Sequence, residues 1–231
     1  MSKKFVAARS SLGQQVVEHL REMIYNVEIA PGTHLNAVDI SNELGVSRSP
    51  VRDALLILAA EGLVEQATSS GYRVIDFNDV LIAEVFTVRL ALEPVALREG
   101  IRRFDAAFLD SQVAFWSTLD VSQSDSQEWM KTYLYTDHQL HETIIGTSEN
   151  KLLREVLEKV IRLGMAIRHW QHKQILVTEE ITVTIQEHMA IFEAIKARAT
   201  DTAVEALTVH IENSQQRALS RFESMETGID D

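Results

Sequence analysis

Apolar positions divide the chain into two regimes of patterning. In the first third the elements are short. Leu12, Val16, Leu20 and Ile24 recur at helical spacing, and Ala30-Pro31-Gly32-Thr33 then breaks that helix by turn chemistry. Asn36 is placed to cap a short helix ending at Gly45, a residue suited to a left-handed cap. Ser47 is placed to cap the next helix, with Pro50 in its first turn, where a missing N–H costs little. Val51, Ala54, Leu55 and Leu58 form the inward stripe of that helix. Beyond Gly62, residues 63–66 and 72–75 read as two strands around Thr68-Ser69-Ser70-Gly71. Helix, helix, turn, helix and hairpin is the order of a winged helix-turn-helix with a small β-hairpin wing.

The rest of the chain is patterned as helix throughout. Amphipathic stretches run over about 79–101, 105–120, 125–146, 149–171, 178–198 and 200–223, joined by short polar links. Such connections favour antiparallel neighbours, so the expected fold class is mainly α: a winged helix-turn-helix followed by an antiparallel all-α bundle. The polar stretch Asp76-Phe77-Asn78-Asp79 is the expected linker, separating a domain over 1–75 from one over 80–231.

Composition sharpens this division. Apolar residues make up 45% of the 231 and charged residues 24%, so a real core is expected and wholesale disorder is not. Cysteine is absent, which removes disulfides, thiolate nucleophiles and sulfur-bound zinc, and fits a reducing cytoplasm. The opening residues carry no apolar signal region, and no apolar stretch is long enough to span a membrane. The formal net charge of −12 argues against nucleic acid taken alone. Its distribution matters more, because residues 1–75 sum to −1 and residues 76–231 to −11.

Within the near-neutral third, Arg48 and Arg52 lie four apart and away from the inward stripe. They are either solvated side chains or the reading edge of a recognition helix. Arginine is the usual bidentate partner of guanine, and a helix N-terminus with Ser47 and Ser49 suits phosphate. Lys3, Lys4 and Arg9 add a basic arm able to follow the DNA backbone.

In the helical region four polar residues fall on inward stripes. Asp137 and His141 share a stripe with Met130, Tyr133, Leu134 and Ile144. His188 lies with Ile181, Ile185, Phe192 and Ile195, and His210 with Ala203 and Leu207. Each histidine taken singly could hydrogen-bond within the bundle. A divalent metal would satisfy all four groups at once, with room left for a ligand oxygen. Zinc is the first expectation, with nickel or manganese the alternatives. His169 and His172 read as an exposed helix end, and His138, about 100° round the helix from Asp137, as lying outside the site.

Two resemblances cover nearly the whole chain. Ala30-Pro31-Gly32-Thr33-His34-Leu35-Asn36, the run Leu44-Gly45-Val46-Ser47-Arg48-Ser49-Pro50-Val51-Arg52-Asp53-Ala54-Leu55, and Glu61-Gly62-Leu63-Val64 resemble the GntR family of bacterial transcription regulators. That resemblance implies DNA contacts from Ser47, Arg48, Ser49 and Arg52, with the wing tip Ser70-Gly71 at the minor groove. Val38 stands where many members carry arginine, and the wing lacks the usual basic residues. Val88-Arg89-Leu90-Ala91-Leu92-Glu93, Asp137-x-x-Leu140-His141, Asn150, Glu187-His188-x-x-Ile191 and Val209-His210-Ile211 resemble the FCD domain of the FadR-like GntR subfamily. This implies that Asp137, His141, His188 and His210 hold a divalent ion, that a small organic acid is the effector, and that the protein is a homodimer. A dimer doubles the basic face and would read a palindromic operator in two half-sites of double-stranded DNA.

Arg89 shares a stripe with Ile82, Val85, Phe86 and Glu93, so it either pairs with Glu93 or offers a fork to the acid. Arg162 is a second candidate effector ligand. The leading functional expectation is thus a DNA-binding regulator controlled by an acid at a metal site. The alternative is a metal-dependent hydrolase with an accessory DNA-binding domain, which lacks a clear general base and leaves Arg48 and Arg52 unexplained. A structural metal with no effector is the third possibility.

Overall fold

The computed structural model describes residues 12–67, 71–174 and 178–227. The chain divides into two compact units, Met1–Phe77 and Asn78–Asp231.

The first unit holds α1 (Leu12–Tyr25), β1 (His34–Leu35), α2 (Ala37–Glu43), α3 (Arg48–Glu61), β2 (Val64–Gln66) and β3 (Tyr72–Val74). Asn36 caps α2 as its position predicts, its side chain accepting from the Val38 N–H at 2.8 Å. Gly62 ends α3 at φ 81°, where the Leu63 N–H returns to the Leu58 carbonyl at 3.0 Å. Ser47 occupies the N-cap position of α3, yet its side chain makes no cap bond. Val51, Ala54, Leu55 and Leu58 are fully buried, against Val16, Val17, Leu20 and Ile24 of α1. The wing has three strands rather than two. β1 adds to the hairpin in the order β1-β3-β2, all antiparallel, with His34 opposite Arg73 and Val64 opposite Val74. A two-residue strand is too short to show a period in sequence. Gly71 must be glycine here: its φ is +89°, and a Cβ would lie 2.9 Å from the Leu35 carbonyl oxygen. The wing-tip Ser70 lies outside the described residues.

The second unit is helical: α4 (Asp79–Gly100), α5 (Ala106–Thr118), α6 (Gln127–Thr147), α7 (Lys151–Gln174), α8 (Thr178–Lys196) and α9 (Thr200–Thr227). Asn78 and Asp105 cap α4 and α5, accepting from the Leu81 and Phe108 N–H groups at 2.8 Å each. α4 packs against α6, α7 and α9, while α8 packs against α5 and α9. α4 is thus central to the unit, and it is buried along Ile82, Val85, Phe86, Arg89, Glu93, Ala96 and Leu97. Pro94 sits within α4, where it lacks the N–H that would bond the Leu90 carbonyl.

Close helix approach decides one glycine. A Cβ on Gly100 would lie 2.0 Å from Thr147 Oγ1, whereas one on Gly146 meets nothing within 4 Å. Gly100→Ala is therefore expected to cost about 1–3 kcal/mol by overpacking. Gly146→Ala should be neutral or stabilise by up to about 1 kcal/mol through helix propensity. Urea unfolding of the two variants checks the contrast, and equal midpoints would refute it.

Candidate functional site

Three helices bring the predicted ligands together. Asp137 and His141 come from α6, His188 from α8 and His210 from α9, and all four are buried. One ligand nitrogen from each histidine lies within 4.8 Å of the other two. Asp137 joins them, its Oδ1 being 3.2 Å from His188 Nε2.

The surrounding carboxylates orient two of the rings. His141 Nδ1 lies 2.6 Å from Glu93 Oε2, and His210 Nδ1 lies 2.7 Å from Glu187 Oε2. Burial by itself would raise both carboxyls, but Arg89 and His141 beside Glu93, and the hydrogen bonds of His210 and Arg217 to Glu187, outweigh it and bring each to about 2. An ionised carboxylate only accepts, so each Nδ1 carries the proton and each Nε2 presents a lone pair. These two Nε2 atoms face each other at 3.4 Å. His188 has no hydrogen-bond partner on either nitrogen among the described residues, and Asp137 Oδ1 has none either. Buried acceptor atoms converge here with an arginine N–H near His141 Nε2, an arrangement a cation would relieve, and the Asp137–His188 and His141–His210 separations of 3.2 and 3.4 Å are close to the roughly 3.4 Å between ligands of a tetrahedral zinc. The donor set of three neutral nitrogens and one carboxylate oxygen fits a borderline divalent ion.

Electrostatics hold the set in its ligating form. Burial pushes the His210 pKa down to about 4 and that of His188 well below its ordinary value. Burial opposes ionisation of Asp137, but Arg168 and the three imidazoles outweigh it and keep the carboxyl well below the usual range. Trp116 closes one side, with its ring edge-on to His188 at 4.5 Å between centroids.

A cavity opens beside the cluster, lined in part by Asp137 and His141. Arg89 lines it too, and of the two expectations made for it the pairing with Glu93 is the one observed. Its Nε donates to Glu93 Oε1 at 2.6 Å, in a buried pair rather than an exposed one. Its Nη2 lies 3.1 Å from His141 Nε2, sharing the lone pair that a metal would use. Arg162 does not line the cavity. Its guanidinium turns to Glu158 at 3.7 Å, one helical turn back on α7, which corrects its candidacy as an effector ligand.

Three further residues sit differently from expectation. His138 lines the cavity and pairs with Glu142 at 3.1 Å. His169 lines it as well, and His172 is buried against Arg221, because α7 continues past them to Gln174 instead of fraying. Pattern reading also missed Arg168, Arg217 and Arg221 in the cavity wall. Their one sequence signal was arginine on otherwise buried faces of α7 and α9. Glu187 accepts from His210, Asn213 and Arg217, which removes it as a free general base.

On the first unit, Ser47, Arg48, Ser49 and Arg52 are all exposed at the start of α3. Neither arginine has an ion pair or hydrogen bond among the described residues. Arg73 on the wing is committed to Glu65 at 2.6 Å and Asp76 at 3.3 Å.

Comparison with known proteins decides the family. Residues 12–74 match the bacterial regulatory proteins of the gntR family, and residues 84–213 match the FCD domain. The chain belongs to the FCD-domain branch of the GntR family. It is a DNA-binding transcription regulator and not an enzyme, so the hydrolase reading falls. The gluconate operon transcriptional repressor of Bacillus subtilis is 29% identical over 220 residues, covering 91% of this chain and 86% of that protein. McbR/YncC of E. coli shares the fold at 19% identity with a TM-score of 0.76, covering 93% of this chain and 100% of that one. A zinc-bound FCD domain, that of TM0439, superposes at 20% identity and a TM-score of 0.50, covering 65% of this chain and 98% of its own. No helix among the described residues is long and apolar enough to cross a membrane.

The buried imidazoles set a pH dependence for the metal-free regulator. In the unfolded chain histidines take up protons below about pH 6.5. In the folded chain His169 and His210 do so only near 4, and His172 and His188 are also depressed. The unfolded state therefore binds more protons in this window, and stability falls as pH drops from about 6.5 towards 4. Glu93 and Glu187 extend the loss further down, towards their folded pKa values of about 2. Urea midpoints of chelator-treated protein should fall steadily across that range. A flat profile between pH 6.5 and 4 would contradict the burial of these rings.

Proposed function

We propose that this regulator binds its operator under the control of a small organic acid held at a divalent metal in the helical unit. The observation that carries the reading is the convergence of the His141, His188 and His210 nitrogens within 4.8 Å in a buried chamber, with Asp137 alongside. Asp137, His141, His188 and His210 hold the ion, zinc first, with nickel or manganese the alternatives; the zinc-bound state of the TM0439 domain supports this choice. A bound divalent ion supplies a Lewis-acidic position for a carboxylate or hydroxyl oxygen.

The protein's own groups do the rest. Glu93 and Glu187 keep the Nδ1 protons of His141 and His210 and so direct each Nε2 inward. With an ion held by His141 Nε2, Arg89 Nη2 would be free to donate to the acid, while its Nε stays on Glu93. The acid thereby ties α4 to the ligand-bearing helices α6, α8 and α9. α4 begins at Asp79, two residues after the DNA-binding unit ends, so an acid that prefers one setting of α4 biases the DNA-competent state.

At the operator, Arg48 and Arg52 read bases, Ser47 and Ser49 hold phosphate at the start of α3, and the wing at Ser70 and Gly71 meets the minor groove. The protein acts in the cytoplasm as a homodimer on a palindromic site, which places two copies of this face on successive half-sites.

Two measurements test this. Arg48→Ala and Arg52→Ala should each lose about 1–3 kcal/mol of specific operator binding. Fluorescence anisotropy on a selected operator reads this, and unchanged affinity in both variants would remove the recognition assignment. Elemental analysis should find about one divalent ion per chain, lost on His188→Ala, and the ion should raise the thermal midpoint. Protein that neither carries nor takes up metal would overturn the centre.

A further inference from the structure

The cavity beside the histidine cluster carries more positive charge than the cluster itself uses. Resting on the acid-responsive reading above, we propose that the effector is a dianion. One carboxylate is directed to the Asp137–histidine centre, and a second anionic group, carboxylate or phosphate, lies between Arg168 and Arg221.

The argument begins with donors that have nothing to donate to. Arg168 and Arg221 both line the cavity, from α7 and α9. The Nε of each is buried and has no hydrogen-bond partner among the described residues. Arg221 is only 7% exposed. An orphaned N–H in the interior costs the full desolvation of that group, and on a guanidinium the cost is larger. The remaining nitrogens of these two side chains are engaged. Arg168 Nη2 donates to the Tyr133 hydroxyl at 2.7 Å and Nη1 lies 3.1 Å from Asp137 Oδ2. Arg221 Nη2 donates to Glu180 and Nη1 approaches His172 Nε2 at 3.3 Å. The pattern leaves one unpartnered donor on each.

Like charge adds to the cost. Burial holds the Arg221 pKa below the usual arginine value, and repulsion from Arg168 contributes in the same direction. An anion between them removes both penalties.

Charge balance then sets the valence. Arg89 is matched by Glu93, Arg217 by Glu187 and Arg221 by Glu180. Arg168 has only Asp137, which it shares with His188. A divalent ion at the histidines takes up the charge of Asp137 and brings two of its own. Four guanidiniums and the ion then face four carboxylates, leaving two positive charges uncompensated. A monoacid neutralises one of them. A dianion neutralises both, and it also reaches the two free Nε–H groups that a short monoacid on the metal leaves bare.

The test uses the metal-loaded full-length protein and isothermal calorimetry. The probes are the straight-chain diacids from malonate to adipate, their monomethyl esters, and phosphoglycolate for the phosphate arm. At least one dianion should bind about tenfold or more tightly than the matching monoanion, as one added charge-assisted hydrogen-bonded contact supplies. The arm that binds distinguishes carboxylate from phosphate. Arg221→Gln should reduce the dianion to the affinity of the half-ester while leaving half-ester binding and metal content unchanged. Diacid and half-ester affinities within about twofold of each other in the unsubstituted protein would overturn the proposal without recourse to any variant. So would an Arg221→Gln protein that weakens both probes equally. If no acid of either charge binds protein that holds its metal, the acid-responsive reading itself fails, and this inference fails with it.

Discussion

A bundle that buries three imidazoles and a carboxylate must find a partner for each lone pair and proton, because an unpaired polar group in the interior costs on the order of 1–3 kcal/mol. The regulator meets this requirement in layers. Glu93 and Glu187 accept hydrogen bonds from the Nδ1–H groups of His141 and His210. Buried carboxylates need cations in turn, and Arg89 and Arg217 supply them. What is left over is a set of lone pairs on His141, His188, His210 and Asp137, all pointing to one place. A cation would satisfy these atoms, whereas the orphaned Nε–H donors of Arg168 and Arg221 beside them call for an anion.

This layering explains why α4 is central. It contributes no proposed ligand, yet its Glu93 fixes the tautomer of His141, and its Arg89 touches both Glu93 and His141. A change at the ligand cluster therefore reaches α4 through two hydrogen-bonded groups rather than through diffuse packing. Since α4 also follows the DNA-binding unit directly along the chain, it is both chemically tied to the cluster and covalently nearest that unit.

The arginines around the cavity and those at the start of α3 differ in state. In the helical unit Arg89, Arg168, Arg217 and Arg221 are paired with carboxylates, their charge spent on interior balance. On α3, Arg48 and Arg52 are exposed without partners among the described residues. A chain of net charge −12 thus still carries two unpaired guanidiniums on one exposed helix face, which the sum conceals.

Local rules were enough to read much of this from sequence. Helical period located α1 and α3 to α9, turn chemistry and caps at Asn36, Gly45 and Gly62 bounded the short elements, and period also placed Asp137, His141, His188 and His210 on inward faces. Each of those features depends on residues within a few positions of one another. The sequence left open which groups meet across helices. β1 had no period to detect. Arg162 and Arg168 look equivalent on α7, and only packing sends one to Glu158 and the other to Asp137. His169 and His172 read as a fraying end, yet α7 runs on to Gln174 and Arg221 of α9 packs on His172. Pairing between residues tens of positions apart depends on how helices are rotated and stacked, a long-range choice that no local pattern encodes, and that choice decided the second layer of the site and the cavity beside it.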